Sequence, residues 1–323
     1  MIKRARKRLN AYAGLWTFQG SLYSNAVMSF TLPSFAKINL YLRVLGKRPD
    51  GFHEIVSVFQ TISLHDEIRF EEADDIELHC NDPRMPLDEG NLIIRAARLL
   101  SEHSDTRLGA NIKLTKRIPS PGGLGGGSSN AAVSLIGLCR LWKIDPEFPD
   151  LLSIAEMLGS DVPFFLSGGT AVCSGRGNVV RETRQIEAEN ILIATPDVSV
   201  PTPLAYAQLR SENLTSVDLE RILIVCRSEA ELLSLSCGPL RNDLEEAVFG
   251  RFPEVGKVKE KLLELGAASA LMCGSGPSVF AVFDNTETRQ SAMKALDDEV
   301  NWRKFAVAAV SRDEYREAVG IGY

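Results

Sequence analysis

Between Pro121 and Ala132 the chain reads PGGLGGGSSNAA, five glycines in six positions set directly before an apolar, helix-patterned segment. Glycine loses more backbone freedom on folding than any other residue, so so dense a run needs a purpose that side-chain packing does not supply. Without side chains, backbone N–H groups approach an anion closely, and the N-terminus of a following helix adds partial positive charge. Ala131, Leu135, Leu138 and Trp142 fall on one stripe, which predicts a helix from Ser128 to Trp142. The segment reads as a phosphate cradle. It is not a Walker loop, since no GKS or GKT follows, and it lacks the GxGxxG spacing of dinucleotide and protein-kinase loops. Ser128 and Ser129 offer hydroxyls at the first turn instead.

A length of 323 residues exceeds what one hydrophobic core usually organises, so two subdomains are expected. We place them at 28–188, which carries the glycine loop, and 189–323. FAKINLYL (35–42) alternates as a half-buried strand, with Ile38, Leu40 and Leu42 on one face and Lys37, Asn39 and Tyr41 on the other. KRPDG then turns the chain into apolar strands at 55–64 and 67–70. Helices are expected at 91–102, 150–158, 203–210, 216–227, 243–249, 253–265 and 287–297, with a short one at Pro163. Further strands are expected at 108–114, 170–174, 190–196, 270–273, 278–283 and 305–310. Strands and helices mix without regular βαβ spacing, which makes the class α+β.

No stretch approaches the roughly 18 apolar residues of a membrane-spanning helix. Six cysteines form no CxxC pair and four scattered histidines form no HExxH, so reduced thiols in a cytoplasm are expected and a protein-held metal is not. The net charge of −6 hides an asymmetry: residues 1–27 hold five cations and no acid, and without them the charge is −11. So acidic a body argues against a nucleic-acid surface. We expect the leader to be disordered or a non-native start, with Met28 as the natural first residue.

A second glycine turn, Gly274-Ser275-Gly276-Pro277, lies between two apolar runs and by itself signals a hairpin. The order AKINL, PGGLGGGSSNAA and MCGSGPSVF along the chain resembles the three motifs of the GHMP small-molecule kinases, over nearly everything after Met28. That resemblance implies a two-part fold, like ribosomal protein S5 domain 2 in its N-terminal part and ferredoxin-like in its C-terminal part. GKRPDGFHEIVSVFQTISLHDEI, LGSDVPFFLSGG and PDVSVPTPLAY narrow it to the branch that phosphorylates the 2-hydroxyl of 4-diphosphocytidyl-2-C-methyl-D-erythritol in non-mevalonate isoprenoid synthesis. Pro121 departs from the pattern, where a smaller residue is expected, and removes one donor at the start of the cradle.

The implied cofactors are ATP and Mg²⁺, the ion held mainly by the nucleotide phosphates. The partners are the two small-molecule substrates, with neither nucleic acid nor membrane, and the chain is a monomer or a weak homodimer. Asp161 becomes the base that accepts the hydroxyl proton, although Ser160 or Asp161 could equally cap the helix at Pro163. Lys37, on its own a surface lysine, becomes the partner of Asp161. Gly123, Leu124, Gly125, Gly126, Gly127, Ser128 and Ser129 hold the triphosphate, and Gly274, Ser275 and Gly276 form the third motif. Asn39 and His53 bond the cytosine edge, Phe52 and Tyr206 sandwich the ring, and Phe59 and Thr202 line the pocket. Adenine contacts are expected from 84–92 and 107–113. A homoserine or mevalonate kinase has no base to recognise and does not need these aromatics; a catalytically silent relative needs neither Lys37 nor Asp161.

Overall fold

The computed structural model describes residues 29–207 and 240–321, so the leader, the helix expected at 216–227 and the end of the one expected at 203–210 lie outside the described residues. Two strands organise the first half. β1 (Ser29–Lys47) and β2 (His53–Ala73) run antiparallel around the KRPDG turn, with Lys47 opposite His53 and Lys37 opposite Thr61. The two apolar runs at 55–64 and 67–70 are thus one continuous strand. β3 (Ile76–Cys80), β4 (Gly109–Thr115), β5 (Thr170–Gly175) and β6 (Val179–Glu182) complete this sheet together with β8 (Arg241–Asn242), which pairs in parallel with β1.

Helices cover one face of that sheet. α1 (Leu92–His103) is capped by the Asn91 side chain, α2 (Gly126–Trp142) is buried along nearly its whole length, and α3 (Phe148–Leu158) stops at Gly159. The other face meets the second sheet, ordered β11 (Trp302–Val307), β7 (Ile191–Pro196), β10 (Val279–Val282) and β9 (Ser269–Met272). Numbered along the chain, this order is fourth, first, third, second, with helices after the first and third strands, the ferredoxin-like arrangement. α4 (Thr202–Ala207), α5 (Glu245–Arg251) and α6 (Pro253–Glu264) follow the first of these strands, and α7 (Thr286–Ala295) follows the third. Ile38, Val58, Ile193, Leu271 and Phe280 pack where the sheets face each other, and Val255, Val258 and Leu262 of α6 cover the outer face of the second.

This layering corrects the reading of β1 as half-buried. Helices cover one of its faces and a second sheet the other, so Lys37 and Asn39 are only 3% and 1% exposed. The alternation also breaks. A register shift between Asn39 and Tyr41 places Tyr41 in the cluster of Ile38 and Leu40 and sends Leu42 into another. The chain finally returns to the first core through α8 (Arg312–Val319), opened by a reciprocal Ser311–Glu314 capping box and anchored by buried Tyr315. No helix among the described residues is long and apolar enough to cross a membrane.

Candidate active site

A cavity of about 690 Å³ opens where β1, the start of β2, the glycine loop, α4 and the 274–276 turn converge. The glycine loop is its floor. The Lys37 N–H donates to Leu124 O at 2.9 Å and the Ser278 N–H to Gly122 O at 3.2 Å, which pins the loop to β1 and to the third motif. Gly125 takes the cap position of α2 at φ 71°, with no side chain capping the helix. The first-turn N–H groups of α2 therefore remain for an anion at the dipole's positive end, and Gly126, Gly127 and Ser128 line the cavity there.

A buried polar network supports the loop from behind. Asp66 accepts from the Arg117 and Ile118 N–H groups at 2.7 and 2.9 Å, from Lys116 Nζ at 2.5 Å and from Asn130 Nδ2 at 2.9 Å. Asn130 Nδ2 also donates to Ser34 Oγ at 2.9 Å, and Ser34 Oγ to Ser129 Oγ at 2.8 Å. Ser129 is fully buried in this network, and it is Ser128 that lines the cavity.

At the centre, Lys37 Nζ lies 3.4 Å from Asp161 Oδ2, donates to Asn39 Oδ1 at 2.6 Å and stands 4.4 Å from the Phe59 ring centroid. Asn39 Nδ2 donates to Ser57 Oγ at 2.9 Å, and Ser57 Oγ to Tyr41 O at 2.6 Å, which fixes the amide and so aims the ammonium. A buried lysine is tolerable because a carboxylate, an amide oxygen and an aromatic face surround it. Asp161 is about a third exposed and caps nothing: the residue before the 3₁₀ turn Pro163–Leu166 is Val162, and no side chain caps that turn. Packing therefore leaves the Asp161 carboxylate to Lys37 and to the cavity.

The far end is aromatic. His53 and Tyr206 stack with centroids 5.0 Å apart, while Phe52, half exposed, lies under the Arg176 guanidinium. Burial is the main cause that lowers the His53 pKa below its usual 6.5, with the Lys47 charge adding to it; burial likewise raises that of Tyr206. Thr202 Oγ1 and Ser275 Oγ lie 2.9 Å apart, joining α4 to the third motif. Asn242 Nδ2 donates to Met272 O and Gly274 O, both at 2.8 Å, and so shapes that turn.

Lys37, Asn39, Phe52, His53, Phe59, Asp161, Thr202, Tyr206, the 123–128 loop and the 274–276 turn thus border one cavity. Of the segments expected at adenine, Leu92 lines it, whereas β4, which holds most of 107–113, pairs with β2 and β3 elsewhere. Sequence reasoning passed over Lys47 and Arg176, which also line it. The Gly-Arg-Gly-Asn run at 175–178 was the available signal for Arg176, as a hairpin turn carrying a cation. Among the described residues no group of three or more His, Cys, Asp or Glu gathers into a metal site.

Known proteins resemble this chain in sequence and in fold. The model of the GHMP kinases N terminal domain matches residues 91–169, and that of the GHMP kinases C terminal domain matches 228–301. A 4-diphosphocytidyl-2-C-methyl-D-erythritol kinase of Thermoanaerobacter pseudethanolicus is 37% identical over 82% of this chain and 91% of its own. One from a Synechococcus species is 40% identical over 82% and 89%. A crystal structure of 4-(cytidine 5'-diphospho)-2C-methyl-D-erythritol kinase superposes with a TM-score of 0.70 at 33% identity, covering 87% of this chain and 99% of that one.

Proposed function

Because the chain belongs to the 4-diphosphocytidyl-2-C-methyl-D-erythritol kinase family of the GHMP kinases, we propose that its cavity binds ATP over the glycine loop and the cytidyl alcohol between Asp161 and the aromatic end. The enzyme is an ATP-dependent small-molecule kinase that phosphorylates the 2-hydroxyl of that alcohol. Asp161 accepts the hydroxyl proton as the oxygen attacks the γ-phosphorus, and Lys37 balances the charge that develops on the attacking oxygen. The observation that carries this reading is the Lys37–Asp161 pair at 3.4 Å, opposite the uncapped start of α2. A phosphoryl-transfer site works by placing the reactants and neutralising charge, and these groups do both.

Gly123 to Ser128 hold the phosphates by backbone and hydroxyl donors, with Ser129 bracing the loop from behind through Ser34. Mg²⁺ neutralises phosphate charge and arrives with the nucleotide. The donor set fits that route: among the described residues Asp161 is the sole carboxylate lining the cavity, and Lys37 engages it. Phosphate oxygens and water would hold the ion, and Ser128 at the mouth of α2 is the hydroxyl that could join them.

Phe52 and Tyr206 hold the cytosine ring, with Phe59 and Thr202 on the pocket wall. Asn39 keeps one amide hydrogen and one carbonyl lone pair for the base edge beyond those used on Ser57 and Lys37. Base stacking is worth about 1–3 kcal/mol, so Phe52→Ala should raise the acceptor KM roughly 5- to 150-fold at unchanged ATP KM. Steady-state kinetics with each substrate varied checks this, and an unchanged acceptor KM removes Phe52 from recognition.

His53 gives the site a pH dependence. Its folded-state pKa is lowered, so protonation costs more in the fold than in an unfolded chain. Stability from this group and neutral-imidazole contacts are therefore complete above pH 6.5 and are lost as pH falls through the lowered value. The acceptor KM should be flat above pH 6.5 and climb below it, and His53→Gln should remove the climb. A climb that persists in the variant assigns it to another group.

The proposed reaction is tested by ³¹P NMR of the product. A new phosphomonoester coupled to the carbon of the 2-hydroxyl, with the diphosphate resonances retained, is expected; phosphate on another hydroxyl overturns the placement of the acceptor. We infer a cytoplasmic enzyme, where cysteines such as the four free ones among the described residues stay reduced.

A further inference from the structure

Arg176 lines the cavity and has no part in the chemistry above. It stands at the tip of the β5–β6 hairpin, in a turn fastened on both sides. The Gly175 N–H donates to Glu54 Oε1 at 3.0 Å, the Arg176 N–H to Asn178 Oδ1 at 3.3 Å, and Asn178 Nδ2 to Glu156 Oε1 at 2.8 Å. The next residue, Gly177, lies against the reaction centre: a Cβ there would stand 3.6 Å from Asp161 Oδ1. The Arg176 side chain reaches the aromatic end, its guanidinium carbon 4.8 Å from the Phe52 ring centroid. The turn Arg176–Gly177 thus spans from the Asp161 carboxylate to the aromatic end.

Charge favours an anion in that span. The charged residues lining the cavity, among those described, are Lys37, Lys47, Arg176 and Asp161. Lys37 is paired with Asp161, so the lining's remaining charged groups are Lys47, opposite His53 in the β1–β2 register, and Arg176, whose charge also reaches the Asp50 carboxylate outside the cavity. The acceptor assigned above carries a diphosphate between its base and its alcohol, with a negative charge on each phosphate. If the base lies at Phe52 and the hydroxyl at Asp161, that linker lies beside Arg176. The Arg176 guanidinium stands over the Phe52 ring, and a guanidinium fork matches phosphate oxygens two at a time.

We propose that Arg176 binds the diphosphate linker of the acceptor and makes the site selective for a nucleoside-diphosphate alcohol over the nucleoside alone. This rests on the reading given under Proposed function. The test measures inhibition by cytidine and by CDP, each competing with the cytidyl alcohol, in wild type, Arg176→Gln and Arg176→Lys. Hydrogen bonds to charged groups of this kind are worth a factor of about 10–100. Wild type should therefore bind CDP more tightly than cytidine by about that factor. Arg176→Gln should lose most of the preference, with cytidine affinity and ATP KM within about twofold of wild type; Arg176→Lys, which keeps the charge without the fork, should fall between.

A CDP-to-cytidine ratio unchanged in Arg176→Gln overturns the proposal, as does a rise confined to the ATP KM, which would assign the guanidinium to the triphosphate. Melting curves matching wild type establish that the variants fold. Failure here is separable from failure of the underlying reading. Wild type that turns over the cytidyl alcohol while the variant keeps its ratio overturns Arg176 alone; wild type with neither turnover nor CDP binding overturns both.

Discussion

Replacing Asp161 with Asn should lower kcat by about 10²- to 10⁴-fold, the usual contribution of a general base, while ATP still binds. Asn keeps the shape of the side chain and an oxygen for Lys37, so the ammonium, 3% exposed, is not left without a polar neighbour: Asn39 holds it at 2.6 Å and Phe59 lies against it. The loss then falls on the chemical step. Equilibrium ATP binding together with steady-state turnover separates the two, and near-normal kcat in the variant removes Asp161 from proton transfer. The predicted pattern, kcat lowered and ATP affinity retained, follows from Asp161 serving the acceptor hydroxyl while the glycine loop holds the nucleotide.

Gly123→Ala should destabilise the protein by about 2–5 kcal/mol. The residue sits at φ 71°, which costs an L-residue about 1–2 kcal/mol, and its Cβ would stand 2.0 Å from Cys273 O and 3.0 Å from Gly276 O. Overpacking of that kind adds about 1–3 kcal/mol. The clash lies where the phosphate loop touches the third motif, so ATP affinity should fall with stability. Thermal melting should show a drop of roughly 3–7 °C. Gly127→Ala is the comparison: a Cβ there meets only Leu92 Cδ1, at 3.9 Å. Its melting temperature should stay near that of wild type, and equal drops in the two variants would show that close approach at Gly123 is not what the loop requires.

Much of this arrangement is legible in the sequence because local chemistry writes it. The glycine run and the stripe of α2 announce an anion site at a helix mouth, Asn91 announces the start of α1, and Gly159 the end of α3. Ser311 and Glu314 announce α8 equally well, as a capping box, yet the short polar tail hides it. What could not be read is long-range. Period-two alternation in β1 predicts one wet face, and it takes the glycine loop, Phe59 and Phe165, all distant in sequence, to bury Lys37 and Asn39 on that face. The register shift after Asn39 has no sequence mark, so Tyr41 and Leu42 exchange places. Ser129 reads as a phosphate ligand until Ser34, 95 residues away, is seen to hold its hydroxyl. Arg176 meets Phe52 only because the β5–β6 turn folds over the start of β2.

The most direct measurement is ADP release from Mg-ATP by the purified protein with no acceptor, with 4-diphosphocytidyl-2-C-methyl-D-erythritol, with homoserine and with mevalonate. ADP release above the acceptor-free rate with the cytidyl alcohol alone is the predicted result. Release with homoserine or mevalonate instead, or no acceptor-dependent release from folded protein that binds ATP, would contradict it.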